Sequence, residues 1–303
     1  MASAPWPRTD GSGATACVTI ELDGSVHDGT TLEWGLAEAA LRGAPVLLAR
    51  AVPDDPDPVQ GEWYPSPHHP VHAEAAFALR ELAEREGARR PGLRLSTRLV
   101  PEPQSRAVRD LSCRSQLLVV GPHVGGSVGG PAGPGAGHVV AHARCPVAVV
   151  TGRRGGRRGA PVVAGVDGSS RSAVSADLAA AEAALLGTGL VLVRASASAG
   201  PARPVTGVDE VVAALRARHP GLDVTVELVL GGPADVLVDR SRTAALLVLG
   251  PRGRGAVRGT LLGSVSAEVV RRGAGTILLA PSSRPPGRHR GPRSGPVTSA
   301  RDA

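Results

Sequence analysis

Two clusters of small and polar residues stand where main chain can meet a ligand. Asp167-Gly168-Ser169 closes one apolar run; Gly250-Pro251-Arg252-Gly253 closes another and is followed, after nine residues, by Gly263-Ser264-Val265-Ser266. Glycine lets backbone approach a ligand where a Cβ would collide, and Gly263-Ser264 opens a helical pattern whose first N–H groups and positive dipole end suit a phosphate. A carboxylate after an earlier strand, Asp167, suits the nucleoside end. The chemistry in view is nucleotide binding through backbone and hydroxyl groups.

Other chemistries lack their parts. The chain contains no lysine, so a Walker A loop is excluded. A Gly-x-Gly-x-x-Gly fingerprint is missing after either first strand, and Gly253-Arg254-Gly255 lies after a fourth strand without the final glycine, which disfavours a dinucleotide oxidoreductase. Gly125-Gly126-Ser127-Val128-Gly129 matches a hydrolase elbow, but more Gly and Pro follow instead of a helix. It reads as a flexible loop. His68, His69 and His72 offer an i, i+4 pair with no ligand to complete a metal site, and are expected as exposed side chains on a loop and helix start. His123, His138 and His142 read as incidental. No catalytic or metal-binding residue is assigned.

Positioning these clusters requires a sheet, and the sequence supplies the pattern twice. Strand-like runs at 14–22 and 161–166 each end in Asp-Gly-Ser, at Asp23-Gly24-Ser25 and Asp167-Gly168-Ser169. Helical patterns follow, then apolar runs without alternation at 46–52 and 190–195, as for strands buried on both faces. Second helices are expected at 71–86 and 208–218, third strands nearer an edge at 93–100 and 222–230, and third helices at 104–113 and 233–242. Fourth strands at 117–120 and 246–249 precede helices at 138–143 and 264–272, and fifth strands at 146–150 and 276–279 close each unit. The expected fold class is α/β, with two tandem flavodoxin-like, Rossmann-type open parallel five-stranded sheets and helices on both faces. Domains are expected at 14–151 and 160–281, with a Gly/Arg linker at 152–159 and a disordered basic tail at 282–303. The stretch from Pro53 to Pro70 is an insertion specific to the first half. Ligands of such sheets bind beyond the carboxyl ends of the strands, where strand order reverses.

Composition narrows the partners. The formal charge is +7 with all 34 basic residues arginine. Arg153, Arg154, Arg157 and Arg158, with Arg284, Arg288, Arg290, Arg293 and Arg301 less Asp302, more than account for that excess. The remainder is close to neutral, so nucleic acid is not the expected partner. Aromatics make up 2% of the chain, too few for base-stacking platforms. Cys17, Cys113 and Cys145 form an odd set without metal spacing, expected to be reduced in the cytoplasm. No leader pattern opens the chain, and no apolar run reaches the ~18 residues of a membrane span.

With Asp167, Gly250-x2-Gly253-x9-Gly263-Ser264 and the five-strand repeat in hand, the chain resembles the universal stress protein family in its tandem two-domain form. The resemblance implies ATP or a related adenine nucleotide, with or without Mg2+, and a regulatory role in stress or dormancy. It places Asp167 and the backbone of Gly165 and Val166 against adenosine, Ala195 at the adenine edge, and Leu249, Gly250, Arg252 and Gly253 along ribose and phosphates. Gly263, Ser264, Val265 and Ser266 would cradle the phosphates. Arg252, Arg254 or Arg258 adding charge and their being ordinary loop arginines stand as equal alternatives. The first half departs from this pattern: Gly121 to Gly125 has three intervening residues, and Gly133-Pro134 stands where Gly263-Ser264 does. Proline lacks both hydroxyl and N–H, so phosphate binding is expected mainly in the second domain, with slow hydrolysis at most. The two domains are expected to dock as an intramolecular pseudo-dimer through their fifth strands; a homodimer and an unknown protein partner stay open. The alternative is an interaction scaffold of the same fold that uses no nucleotide.

Overall fold

The computed structural model describes residues 16–52, 70–100, 104–122, 139–140, 142–152, 159–196, 208–251, 253 and 262–281. In the first half β1 (Cys17–Glu21), β2 (Val46–Ala51), β3 (Leu95–Val100), β4 (Ser115–Val120) and β5 (Val147–Val150) alternate with α1 (Asp28–Arg42), α2 (Pro70–Arg89) and α3 (Gln104–Cys113). Residues 139, 140 and 142 are also helical. The second half repeats this with β6 (Val162–Gly165), β7 (Leu190–Ser196), β8 (Val224–Leu230), β9 (Leu246–Leu249) and β10 (Thr276–Leu279). Its helices are α4 (Ser170–Leu186), α5 (Val208–Arg218), α6 (Pro233–Ser241) and α7 (Ser264–Arg272).

β4, β5, β9 and β10 are buried at every residue, which is why their sequences show no alternation. β3 and β8, read as edge strands, do lie at the edges. Strand order is β3-β2-β1-β4-β5-β10-β9-β6-β7-β8. The expected two sheets are thus joined as one ten-stranded sheet, parallel within each half and antiparallel where β5 meets β10. That pairing runs Val147 to Val150 against Leu279 to Thr276 and leaves neither fifth strand as an open edge.

Helices cover both faces. One core collects Trp34 and Leu36 of α1, Leu79 of α2, Leu178 of α4 and Leu215 of α5 with inward residues from both halves of the sheet. The opposite core joins Val108 of α3, Val139 and Val140 to Leu237 of α6 and Val269 of α7. Both cores run across the join. His72, expected on the surface, is instead 7% exposed on α2, whose extension from Pro70 to Arg89 gives it a buried face.

Polar contacts reinforce the join. The Thr151 hydroxyl donates to the Gly275 carbonyl at 2.7 Å. Arg42 of α1 reaches Glu182 of α4 at 2.5 Å and its own Glu38 at 2.9 Å, with all three side chains at most 10% exposed. Two buried carboxylates therefore share one guanidinium. Burial pushes Glu182 up to about 7, with Arg42 opposing the shift and Glu38 reinforcing it.

Candidate functional site

The site begins where β6 stops. Asp167 Oδ1 accepts the Ser169 N–H at 2.9 Å, closing a turn in which Gly168 has φ of 77°. An L side chain seldom adopts that left-handed conformation, so glycine is required. Ser169 then caps α4, its Oγ accepting the Ser172 N–H at 3.2 Å. Strand, turn and helix are thus fixed by their own sequence, and Asp167 is held at the carboxyl end of the strand.

A second layer comes from the end of β9 and the start of α7. Gly263 is the extended N-cap of α7, and no side chain caps the helix. Its N–H donates to the Pro251 carbonyl at 2.7 Å, and Ser266 Oγ donates to the Gly250 carbonyl at 2.7 Å. These bonds tie the helix start to the strand end. The first turn contains no acidic residue, so its dipole end is not neutralised from within. Both hydroxyls of Gly263-Ser264-Val265-Ser266 were expected to face a phosphate. In the structure Ser266 lines the cavity but is buried, with its proton on the Gly250 carbonyl, and Ser264 is the exposed serine. From behind, Arg272 Nη1 binds Asp235 of α6 at 2.8 Å and Glu268 at 3.2 Å, bracing α7 against α6.

Between the layers lies a cavity of about 310 Å³, at the lower end of small-molecule sites. It opens between β6 and β9, neighbours that lead outward in opposite directions to β7 and β10, the place expected for a ligand. Gly165, Val166, Asp167, Ala195, Leu249, Gly250, Gly253, Gly263, Ser264, Val265 and Ser266 all line it. Arg252, Arg254 and Arg258 lie outside the described residues. Gly253 presses so close that a Cβ there would sit 2.9 Å from Asp167 Oδ2.

Ser172, Val193, Pro233 and Leu237 also line the cavity and were not singled out from sequence. Val193 lies two residues before Ala195, hence on the same strand face, a signal the alternation contained. Pro233 and Leu237 arrive only because α6 crosses beside β9, which requires the strand order. Among its described lining residues the cavity has apolar walls, one carboxylate in Asp167, hydroxyls from Ser172, Ser264 and Ser266, and the uncapped start of α7. Such a lining can hold an uncharged ring against aliphatic surface and an anion against main-chain N–H groups.

The first half repeats the turn. Asp23 Oδ1 accepts the Ser25 N–H at 2.9 Å and Gly24 has φ of 85°. Beyond it the likeness ends. Asp28 Oδ1 and Oδ2 accept the N–H groups of Asp23 at 3.1 Å and Gly24 at 2.9 Å. Burial pushes the Asp28 carboxyl up to about 6, against the Gly24 N–H and with the help of Asp23. Residues 123–138, including the Gly-x-Ser-x-Gly segment, Gly133 and Pro134, are outside the described residues, as are His68, His69 and most of the 53–70 insertion.

Among the described residues no helix is long and apolar enough to cross a membrane, and no group of three His, Cys, Asp or Glu is placed to hold a metal. Cys17, Cys113 and Cys145 are free thiols; burial pushes that of Cys145 above its ordinary range.

Comparison with known proteins places this architecture. The model of the Universal stress protein family matches residues 18–151 and again 160–281. A universal stress protein of Mycobacterium tuberculosis is 29% identical over 287 residues, spanning 88% of this chain and 97% of the relative. One from Mycolicibacterium smegmatis is 28% identical over 286 residues, spanning 86% and 96%. The crystal structure of a universal stress protein from Archaeoglobus fulgidus superposes with a TM-score of 0.65 at 17% identity, over 88% of this chain and 96% of that one.

Proposed function

The chain belongs to the universal stress protein family, and on that premise we propose that it binds ATP or a related adenine nucleotide in the crevice of its second half. The observation that carries this reading is the cavity at the point where strand order reverses, lined by both Asp167 and the uncapped start of α7. In this reading the adenosine lies against Gly165, Val166, Asp167 and Ala195. Leu249, Gly250, Arg252 and Gly253 follow ribose and phosphates, and the main chain of Gly263 to Ser266 holds the phosphate end. The residues fit such a group: Gly253 leaves room that any Cβ would take, and N–H groups of a helix start bind anions without lysine. A Mg2+ ion would neutralise charge on the phosphates it accompanies.

The nucleotide acts here as a regulatory ligand. The carboxylate lining the cavity, Asp167, is engaged with Ser169 in its turn, and fast phosphoryl transfer needs a group placed on the attacking water. Hydrolysis is accordingly slow or absent. Domains at 14–151 and 160–281, joined by 152–159 and followed by the tail 282–303, form an intramolecular pseudo-dimer; the antiparallel β5–β10 pairing supports this reading. The protein works in the cytoplasm, where the nucleotide state sets its shape or choice of partner in stress or dormancy.

Mass spectrometry of small molecules released from denatured, freshly purified protein tests the reading. ATP or another adenine nucleotide is expected at close to one per chain. No nucleotide, together with no binding of added ATP at millimolar concentration, would favour a scaffold that has kept the fold without the ligand.

A further inference from the structure

The strands of the two halves correspond in register. Val18 pairs with Val46 as Val162 pairs with Leu190, so Glu21 occupies the place of Gly165, Asp23 that of Asp167 and Asp28 that of Ser172. β4 and α3 likewise correspond to β9 and α6, which sets Val120 opposite Leu249 and Val108 opposite Leu237.

A side chain at Gly165 would push on the cavity wall. A Cβ would stand 2.9 Å from Leu249 Cδ2 and 3.1 Å from Leu237 Cδ1, and these three residues form part of the cavity wall. In the first half the residue is glutamate, and it is buried, at 3% exposure. Both leucines are valines there, each fully buried. Two shortened neighbours accompany one lengthened residue and offset part of its added volume. Ser172 turns its hydroxyl back onto the Ser169 carbonyl at 2.8 Å and leaves the crevice uncharged at that point. Asp28 instead sets a carboxylate on the two N–H groups of the Asp23-Gly24 turn.

We propose that Glu21 and Asp28 close the first-half crevice to nucleotides, Glu21 by placing a long side chain in the wall where Gly165 has none and Asp28 by setting a second carboxylate beside Asp23. One-site binding is then built into β1 and α1, separately from any effect of Pro134. The inference rests on the nucleotide reading of the second half. A carboxylate in place of a hydroxyl repels an approaching phosphate and takes donors at the turn.

Equilibrium dialysis with adenosine tests the steric part, because adenosine needs no phosphate loop. Wild-type protein is expected to bind one adenosine per chain and the E21G/D28S variant two. The reciprocal variant S172D tests the charge. It is expected to bind ATP about tenfold more weakly at pH 8 while keeping the wild-type circular dichroism spectrum, and to recover part of that loss at pH 5. One adenosine per chain in folded E21G/D28S, or unchanged ATP affinity in S172D, overturns this proposal alone. A wild-type protein that binds neither ligand overturns the reading of the second half and this proposal with it.

Discussion

The two halves of this chain share a strand order and an Asp-Gly-Ser turn that matches to the hydrogen bond, at 2.9 Å in each, yet they differ in what lies beyond that turn. In the second half Gly165, Ser172 and Gly253 keep the crevice open. The first half carries Glu21 and Asp28 at the first two of these places. All of these residues sit at the carboxyl ends of strands, on the loop that follows or in the first turn of the next helix, whereas the central strands β4, β5, β9 and β10 are buried throughout in both halves. A parallel sheet can therefore change its ligand chemistry at the rim while keeping a closely packed core.

The sharpest break should come at Gly253. Gly253→Val is expected to weaken nucleotide binding at least ~100-fold, because its Cβ would meet Asp167 Oδ2 at 2.9 Å. Fluorescence titration with a labelled ATP analogue measures this, and a loss under threefold would make the loop an ordinary one. Next in size, Asp167→Ala should cost about tenfold in affinity and Asp23→Ala nothing measurable in the same assay. Equal losses would erase the distinction between the halves.

A third test addresses the join. The folded-state value of Glu182 is raised, from 4.5 to about 7, so its contribution to stability is fully present below 4.5 and is lost as pH rises through 7. Asp28 has the same sign between 3.8 and about 6. Glu182→Gln should flatten the fall of the thermal midpoint between pH 5 and pH 8 and raise the midpoint at pH 8, since it removes one of two carboxylates sharing Arg42. An unchanged profile would mean that the triad does not couple to protons.

The smallest expected effect separates the two helix starts. Ser169→Ala should cost about 1 kcal/mol in chemical denaturation by removing the cap of α4. α1 has no side-chain cap bond at His27 to lose. A loss at Ser169 below ~0.3 kcal/mol would show that its hydroxyl is replaced by water.

Much of this was legible in the sequence because the strands that matter are buried on both faces and punctuated by glycine. The starts and ends of α3, α5, α7 and β10 were read to the residue, and the edge character of β3 and β8 followed from their alternation. Docking through the fifth strands was expected as well, but no local pattern specifies the antiparallel register by which β5 and β10 make one sheet of two. Within the site, the glycines and Asp167 announced themselves through spacing. Ser172, Pro233 and Leu237 did not, because a serine in a first helical turn, a proline at a helix start and a leucine one turn later have sufficient local reasons to be there. Ser266 lines the cavity as expected from spacing, and its hydroxyl also serves the loop itself. Glu21 carried a signal that only the comparison of halves makes audible, a buried carboxylate where its counterpart is glycine.

The central claim is that one half binds and the other does not. Calorimetric titration of the full chain with ATP tests it most directly. The account predicts one site per chain, abolished by Gly263→Val combined with Ser264→Pro; two equivalent sites, or undiminished binding in that variant, would contradict it.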